Sequence, residues 1–362
     1  GGVAGFRDGL FLGGIDNTIS LSDDGGTSWR TVDTTLYART FGSTESGVLL
    51  VAGSREQSVP SEMIVRRSTD GGSTWNPTTI VDGLSGDVHF ARGKSSITLA
   101  ATLSGVFVSS DDGMTWEATP FANPAYDIAT NDGNVYVASA AGVFVTHDDG
   151  GSWGVADTLR ARQIVFDGGA IFAAVAAGPD GGLYRTGTFG DAWERVTSVV
   201  PRSIALDRDN NLWLAVGTLP LYSTDRGDSW SAGEVGMTST DVGTMFAFDD
   251  DLFAIVRSAL YRYRSGDGEW SLLDGAPMVS RLTAWPSTAN RRIVAVGRET
   301  SPLPPFPAED VVYLSENNGD TWKEQWRGGL LTPPSIIGPS CAVIVYAWPA
   351  GSTTRGGGIL TT

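Results

Sequence analysis

Eight near-copies of one short phrase, each ending in tryptophan, constrain the fold of this chain more than any other feature. The pattern is Ser/Thr-x-Asp-x-Gly-x-Ser/Thr-Trp. Clear copies end at Trp29, Trp75, Trp116, Trp153 and Trp230, and worn copies end at Trp193, Trp270 and Trp322. Successive tryptophans are 37 to 52 residues apart, which is close to the length of one four-stranded propeller blade.

Each repeat has the apolar patterning of four short antiparallel strands, here labelled A to D. In the fifth repeat the predicted strands are 162–167, 170–175, 183–186 and 193–196. The sequence therefore predicts a single-domain, all-β propeller of four-stranded antiparallel blades, with no long helix. The eight complete repeats lie near 1–33, 34–80, 81–121, 122–158, 159–198, 199–236, 237–275 and 276–328, and an incomplete ninth covers 329–362.

The last repeat has no tryptophan phrase and only three predicted strands, at 334–338, 341–348 and 358–362. Three explanations are open. The ninth blade has three strands, the chain continues beyond the residues given, or a strand from another molecule completes the blade. An unpaired strand edge is a template for strand addition, so the third explanation predicts a homo-oligomer or a head-to-tail filament.

The phrase is the Asp box, or BNR repeat, and the chain resembles Asp-box β-propellers over nearly its whole length. That group includes sialidases, xyloglucanase-type glycoside hydrolases, sortilin-type receptor ectodomains and photosystem II assembly factors. The resemblance implies the fold but no single activity, because one fold hosts enzymes, receptors and assembly factors. It also implies a binding face opposite the boxes and a secreted, extracellular location, with the periplasm as the alternative.

We interpret the boxes as structural. Their Ser/Thr and Asp oxygens can accept hydrogen bonds from the amides of the turn, glycine supplies unusual dihedral angles, and tryptophan buries a large ring between sheets. The alternative, a calcium loop, lacks the downstream bidentate glutamate. The residues assigned to this structural role are Asp24, Trp29, Asp70, Trp75, Asp111, Trp116, Asp148, Trp153, Trp193, Asp225, Trp230, Trp270 and Trp322.

Composition excludes several functional classes. The formal net charge is −16, which repels nucleic acid and anionic membranes, so no nucleic-acid partner is expected. The longest apolar runs are about eight residues, too short to span a bilayer. Cys341 is the only cysteine, so no disulfide within the chain is possible. The chain begins with Gly1 and not with methionine, which indicates a processed or trimmed form.

Long loops on a rigid scaffold are the usual place for recognition. In a propeller the A–B and C–D turns lie on one face, the bottom, and the B–C and D–A loops lie on the other face, the top. Extended B–C loops are predicted at 54–62, 298–310 and 348–356, and their alternative interpretation is unselected surface insertion. The candidate ligand-binding residues are Arg55, Glu56, Glu62, Arg298, Glu299, Phe306, Glu309, Asp310, Trp348 and Arg355.

The predicted partner of these loops is a protein or a glycan, and the predicted function is a non-catalytic recognition or structural scaffold with possible self-assembly. The alternative function is a glycoside hydrolase, which needs two carboxyl groups at a set separation. Candidates for that pair are Glu56, Glu62, Glu299, Glu309 and Asp310, but the Arg-Ile-Pro segment of sialidases is absent. A third option, an assembly factor of the photosystem II type, predicts a basic patch on one face.

Asp87 and His89 share one face of a predicted inner strand, and such a pair can act in acid–base chemistry or as half of a metal site. The competing interpretation is a structural histidine. His147 is the only other histidine and lies inside a box, so no histidine cluster for a transition metal is predicted. We therefore expect neither a metal nor a cofactor.

Overall fold

The structure is a computed structural model. It describes residues 3–5, 11–15, 18–24, 28–54, 64–79, 88–94, 96–131, 133–167, 169–175, 178–187, 192–238, 241–248, 251–264, 267–276, 278–284, 293–300 and 308–329. The described residues contain strands and turns and no helix. Within this part of the chain, therefore, no helix is available that could cross a membrane.

The first four sheets each contain four consecutive strands. The first contains β1 (Val3–Gly5), β2 (Phe11–Ile15), β3 (Thr18–Ser22) and β4 (Arg30–Asp33). The second contains β5 (Tyr37–Ser43), β6 (Leu49–Ser54), β7 (Ile64–Ser68) and β8 (Asn76–Thr79). The third contains β9 (His89–Arg92), β10 (Thr98–Thr102), β11 (Gly105–Ser109) and β12 (Glu117–Ala118). The fourth contains β13 (Ala125–Asn131), β14 (Asn134–Ser139), β15 (Gly142–Thr146) and β16 (Gly154–Asp157).

The next four sheets follow the same plan. The fifth contains β17 (Ala161–Phe166), β18 (Ile171–Val175), β19 (Gly182–Thr186) and β20 (Glu194–Thr197). The sixth contains β21 (Ser203–Leu206), β22 (Leu212–Ala215), β23 (Leu221–Ser223) and β24 (Ser231–Ala232). The seventh contains β25 (Val242–Phe248), β26 (Asp251–Val256), β27 (Ala259–Arg264) and β28 (Trp270–Leu272). The eighth contains β29 (Val279–Ala284), β30 (Ile293–Thr300), β31 (Ala308–Ser315) and β32 (Lys323–Gly329).

In every sheet each strand pairs antiparallel with the strand that follows it in sequence, so the sheets are consecutive meanders. The first strands of most neighbouring sheets lie next to each other, and β1 of the first sheet also contacts β29 of the eighth. The predicted all-β propeller of four-stranded blades is confirmed. The first strand of each blade is therefore the inner strand, next to the propeller axis.

The hydrophobic core lies between adjacent sheets. One cluster, for example, joins Leu50 and Val65 of the second sheet to Phe90, Phe107 and Trp116 of the third. The tryptophans that end the boxes of the second to eighth sheets each pack on the cluster shared with the preceding sheet. Each box therefore adds a large ring to the contact with the blade before it, and this burial favours the assembled ring over isolated sheets.

The box turn is held by its own side chains. In the second sheet the Ser68 hydroxyl donates to Asp70 at 2.7 Å and accepts from the Gly72 amide at 2.8 Å. Asp70 also accepts from the amide and hydroxyl of Thr74 at 2.9 and 2.6 Å. Asn317 makes the equivalent contacts with the amide and hydroxyl of Thr321, so asparagine preserves the turn where aspartate is lost.

Two successive residues in the box turn have positive φ, not only the expected glycine. The residue before that glycine is non-glycine in four boxes, with φ between 54° and 59°. A positive φ is uncommon for non-glycine residues, although Asn and Asp tolerate it better than most. The sequence pattern alone predicted the glycine but missed its neighbour. The four neighbours are Asp112, Asp149, Arg226 and Asn318.

Three equivalent arginines tie one sheet to the box of the next. Each precedes the first box position of its own sheet and donates to the main-chain oxygen of the positive-φ residue in the following sheet. The contacts are Arg67 Nε to Asp112 O at 3.1 Å, Arg185 Nη1 to Arg226 O at 2.8 Å and Arg262 Nη1 to Asn318 O at 2.6 Å.

The structure corrects one predicted loop. Residues 298–310 were expected to be a B–C loop, but Arg298 pairs with Asp310 and Glu299 with Glu309 across β30 and β31. These four residues are part of an extended hairpin, because strand pairing satisfies main-chain groups that a loop would leave to solvent. The three-stranded ninth repeat and Cys341 fall within 330–362, outside the described residues. Homo-oligomer or filament formation through the open edge of the ninth repeat therefore stays a prediction.

Candidate functional site

The inner strands carry one polar side chain per sheet at the same level of the propeller. In each sheet this polar residue pairs with the fourth or fifth residue of the second strand. The paired residue is alanine in five of the six sheets. We call this set the polar layer. Its members in the second to seventh sheets are Thr40, His89, Asp127, Gln163, Ser203 and Thr244.

Members of the polar layer connect neighbouring inner strands. Asp127 of β13 accepts from the Ile164 amide of β17 at 3.0 Å, and Ser203 of β21 accepts from the Met245 amide of β25 at 2.9 Å. Inner strands have an edge without a strand partner, so these amides need other acceptors. The polar side chains supply those acceptors.

Among the six described members of the polar layer, Asp127 is the one with an acidic side chain. Its side chain is buried, and its second oxygen accepts from the Ile128 amide at 2.9 Å. Burial raises the pKa of Asp127 above its usual value, while the nearby charge of His89 and the two amides act in the opposite direction. His89 thus has a carboxylate neighbour on the next blade, whereas Asp87, its expected partner, lies outside the described residues.

The top ends of the inner strands carry arginines. Several inner strands contain a β-bulge one residue from this end, and in β13 and β17 the bulge residues are Tyr126 and Arg162. A bulge turns a side chain away from its regular direction. The Arg162 guanidinium lies 5.6 Å from the centre of the Tyr126 ring, a cation–π contact between the fourth and fifth sheets.

Two further positions complete this end of the propeller. Arg160 is exposed immediately before β17, and Arg202 is exposed immediately before β21. Arg202 pairs with Asp241 at 3.2 Å, and Arg257 approaches the same carboxylate at 3.8 Å. We define the axial site as Tyr126, Arg160, Arg162, Arg202 and Asp241.

Arg160 and Arg162 differ from the other arginines. Among arginine side chains that the structure describes, these two alone form neither a hydrogen bond nor an ion pair. Both side chains are exposed. The axial site therefore presents two guanidinium groups to solvent on a protein whose net charge is −16.

The boxes concentrate negative charge on the opposite face. Hydrogen bonds within the box lower the pKa of Asp70, Asp148 and Asp225 to about 2, and the pKa of Asp111 is also lowered although burial opposes it. These carboxylates remain ionised at any physiological pH. Within the described part of the chain, no group of three or more His, Cys, Asp or Glu residues could hold a metal ion.

The structure bears only partly on the predicted ligand-binding loops. The backbone of Arg298, Glu299, Glu309 and Asp310 lies in β30 and β31, next to the top of the eighth sheet. The other predicted residues are outside the described part of the chain: Arg55, Glu56, Glu62, Phe306, Trp348 and Arg355.

The sequence analysis missed the axial site. One signal was present, because Arg160 and Arg162 alternate across the start of a predicted inner strand and Arg202 occupies the matching place in the next repeat. Alternating residues share one side of a strand, but the bulge at Arg162 breaks that regularity. The stacking of Arg162 on Tyr126 joins residues 36 positions apart and requires the packed ring.

Comparison with known proteins places the fold among characterised propellers. No protein-family model matches the chain. The photosystem II assembly lipoprotein Ycf48 of Synechococcus sp. (strain CC9902) is 27% identical over 268 residues, which are 67% of this chain and 77% of that protein.

Two solved structures are informative about the fold. The Niastella koreensis GH74 enzyme has a TM-score of 0.54 at 13% identity, covering 89% of this chain and 65% of the enzyme. A structure of YCF48 bound to D1 peptide has a TM-score of 0.52 at 16% identity, covering 73% of this chain and 92% of that one. The chain is a β-propeller. This propeller spans about two thirds of the hydrolase, and at such identities the likeness concerns the fold alone.

Proposed function

We propose that this propeller is a non-catalytic scaffold that binds an acidic segment of a partner protein at the axial site. The observation that carries the proposal is the pair of exposed guanidinium groups, Arg160 and Arg162, which form no ion pair with an acidic side chain of the described residues. Arginine offers a rigid fork of donors that fits a carboxylate in a bidentate manner. The site is thus suited to Asp, Glu or a chain-terminal carboxylate.

Tyr126 adds a second element of recognition. Its half-buried ring lies under Arg162 and holds the guanidinium over one place on the top face. A preorganised side chain loses less conformational entropy on binding than a free one. Aromatic residues and arginine are also the types that most often dominate the energy of protein–protein interfaces.

The overall negative charge does not oppose this function. The net charge governs long-range steering, whereas contact affinity depends on the local field, and salt screens exposed charges beyond about 10 Å at 0.1 M ionic strength. The boxes hold much of the acidic charge on the far face. An acidic partner would therefore approach the top face, where Arg160 and Arg162 are exposed.

The comparisons favour a protein partner over a glycan. The curated relative is named as an assembly lipoprotein, and a solved structure with the same fold is described as a complex with a peptide. The name of the relative also supports a location outside the cytoplasm for this chain. Export and self-assembly through residues 329–362 remain separate hypotheses, which secretion assays and solution mass measurements would test.

A glycosidase function finds no support in the described acidic groups near the axis. Asp127 is buried and accepts from two amides, and Asp241 is engaged by Arg202 and Arg257. A glycosidase needs two carboxyl groups that both reach the scissile bond. Neither of these two carboxylates is available for that task.

Binding of defined peptides tests the proposal. The probe is a fluorescein-labelled 12-residue peptide of alternating Glu and Ser, and its control replaces each Glu by Gln. We expect the acidic peptide to bind the native chain and to bind Arg160→Ala/Arg162→Ala at least about tenfold more weakly at 50 mM salt.

A matched control separates the site from general charge. Arg30→Ala/Arg208→Ala also removes two positive charges, but from outside the axial site. Both of these side chains are about half exposed. This variant should bind the acidic peptide nearly as well as the native chain. Equal losses in the two double variants, or equal binding of the Glu and Gln peptides, would overturn the proposal.

A further inference from the structure

We propose that the partner segment bound at the axial site also carries bulky apolar side chains, which dock on an apolar patch beside the outer strand of the seventh sheet. We define the rim patch as Val235, Met237 and Leu272. This inference deepens the proposed function and rests on it. The occupant of the rim patch is therefore one segment of a partner protein that combines carboxylates with aliphatic or aromatic residues.

Two connected segments build the rim patch. Val235 lies in the loop between the sixth and seventh sheets, and its main-chain oxygen accepts from the Trp270 amide at 2.8 Å. Leu272 follows Trp270 by two residues in β28, so the two side chains project from the same face of that strand. Two residues of a strand span about 7 Å, which places the Val235 backbone close to Leu272.

The loop between the sixth and seventh sheets is held against the seventh sheet at two points. Gly236 has a φ of 88°, and a Cβ at this position would collide with the main-chain oxygen of Trp270. Further along, the Thr238 hydroxyl lies 2.5 Å from the Tyr261 hydroxyl, and Tyr261 pairs with Leu272 across β27 and β28. The rim patch is therefore preformed, which lowers the entropy lost when a partner binds.

The rim patch is apolar and open to solvent. Val235 is 60% exposed and Leu272 is 43% exposed, whereas Met237 is half-buried against the core cluster of the sixth and seventh sheets. Single exposed apolar residues are common on soluble proteins, but adjacent ones on a rigid surface are typical of contact sites. Methionine also adapts its shape to different partners. An aliphatic or aromatic side chain can therefore be buried here.

The same loop connects the rim patch to the axial site. Asp241 follows Thr238 by three residues, which is at most about 11 Å of extended chain. The Asp241 carboxylate pairs with Arg202 at 3.2 Å and is approached by Arg257 at 3.8 Å. Val235 precedes Asp241 by six residues, so the two ends of the path are at most about 22 Å apart. One short segment of a partner can therefore reach both ends.

Positive charge marks the inner end of this path. Arg202 and Arg257 share the single carboxylate of Asp241, so this cluster keeps one uncompensated positive charge. Arg257 and Ser258 form the turn between β26 and β27, and both have positive φ, at 48° and 72°. Strained backbone of this kind concentrates at functional sites. The charge is complementary to the acidic residues of the segment, and the rim patch is complementary to its apolar residues.

Peptides that differ only at their ends test the inference. The probe extends the 12-residue Glu–Ser peptide by Leu-Ser-Phe at each end, so that apolar side chains are present on either side of the acidic residues. The control peptide carries Gln-Ser-Gln at each end instead. We expect the native chain to bind the probe at least about fivefold more tightly than the control peptide, because burial of apolar surface adds to the carboxylate contacts.

The decisive variant is Val235→Ser/Leu272→Ser, which removes two apolar side chains and leaves every arginine in place. This variant should bind the probe and the control peptide equally, and should bind the control peptide as the native chain does. The second equality shows that the fold and the axial site are intact.

The matched control variant is Val155→Ser/Leu103→Ser. Its side chains are 61% and 40% exposed in the fourth and third sheets, so it removes the same residue types at nearly the same exposure. It should keep the native preference for the probe. An equal loss of that preference in both double variants would overturn the inference.

The outcomes also distinguish the inference from the function on which it rests. Equal binding of probe and control peptide by the native chain, with weaker binding of both to Arg160→Ala/Arg162→Ala, would reject the rim patch and leave the axial site standing. No loss in the arginine double variant would reject the axial site itself. A native dimer in sedimentation that Val235→Ser/Leu272→Ser converts to a monomer would overturn the inference, because a second copy would then occupy the rim patch.

Discussion

The guanidinium of Arg262 in β27 donates to the main-chain oxygen of Asn318 at 2.6 Å, and so connects the seventh sheet to the box of the eighth. The same guanidinium pairs with Asp320 of that box at 2.6 Å and is only 6% exposed. Equivalent arginines in the second and fifth sheets contact the same position of the next box. The blades are therefore linked by polar contacts as well as by the apolar core.

Replacing Arg262 by Ala should lower the free energy of unfolding by about 1 to 3 kcal/mol, because the Asn318 oxygen loses its donor and a buried side chain leaves a gap. Arg208→Ala is the matched control. Arg208 pairs with Asp209 at 3.9 Å in an exposed position, and such pairs contribute little. Urea denaturation of both variants checks this, and equal midpoints would contradict the proposed tie.

Glycine at the start of a third strand is predicted to be essential at position 142. Gly142 has a φ of 139°, and a Cβ there would lie 2.2 Å from the main-chain oxygen of Asp157. Gly142→Ala should therefore destabilise the fold by about 2 kcal/mol or more, since the Asp157 oxygen is a main-chain atom and cannot move away without shifting the backbone.

Gly71 provides the comparison for that substitution. Its φ is 68°, and a Cβ added to Gly71 would have no atom within 4 Å. Asn318 occupies the same place in the eighth box. Gly71→Asn should change the free energy of unfolding by less than about 0.5 kcal/mol, because asparagine tolerates this backbone region. Thermal denaturation of the two variants measures the difference. An equal loss of stability in Gly71→Asn and Gly142→Ala would contradict the role assigned to the Asp157 contact.

Two box tryptophans should respond differently to phenylalanine. The Trp270 indole donates to the Gly233 oxygen at 2.8 Å, whereas the Trp116 indole nitrogen is buried without a hydrogen-bond partner among the described residues. Both substitutions shrink a packed ring, but only Trp270→Phe leaves an acceptor unsatisfied. We expect Trp270→Phe to lower the free energy of unfolding by about 1 kcal/mol more than Trp116→Phe, as measured by denaturant titration. The reverse order would refute this assignment.

The boxes should make stability sensitive to strong acid. The pKa of Asp70 is lowered to about 2 in the folded chain by its bonds to Thr74 and Ser68, and it returns to its usual range on unfolding. A lowered folded pKa contributes stability above the unfolded value, and this contribution disappears as the pH falls from about 4 to 2.

The natural substitution at Asn317 supplies the test of this pH dependence. Asp70→Asn should keep the turn, as Asn317 does, while weakening the loss of stability between pH 4 and pH 2. Asn317→Asp should strengthen that loss. Thermal midpoints measured across this range report the effect, and parallel pH profiles for all three proteins would contradict it.

Local sequence patterns were sufficient for the architecture because the interactions that define a blade are close in sequence. The Asp70 box closes over five residues, and strand pairing connects consecutive segments. The extended hairpin of the eighth sheet was misjudged, since Pro-rich residues 301–307 suggested a longer loop than strand pairing allows. The positive φ of Asp112 also escaped prediction, because it depends on the geometry of the whole turn.

The sequence by itself determined how many tryptophan-anchored hairpins the chain contains, and therefore its meander of four-stranded sheets, because those signals are local. Only the tertiary structure decided which residues meet at the axis. Arg162 reaches Tyr126, and Asp127 reaches Ile164, only when inner strands from different blades are packed side by side. The site depends on the radial arrangement of the blades, which each repeat leaves unspecified until it packs against its neighbours.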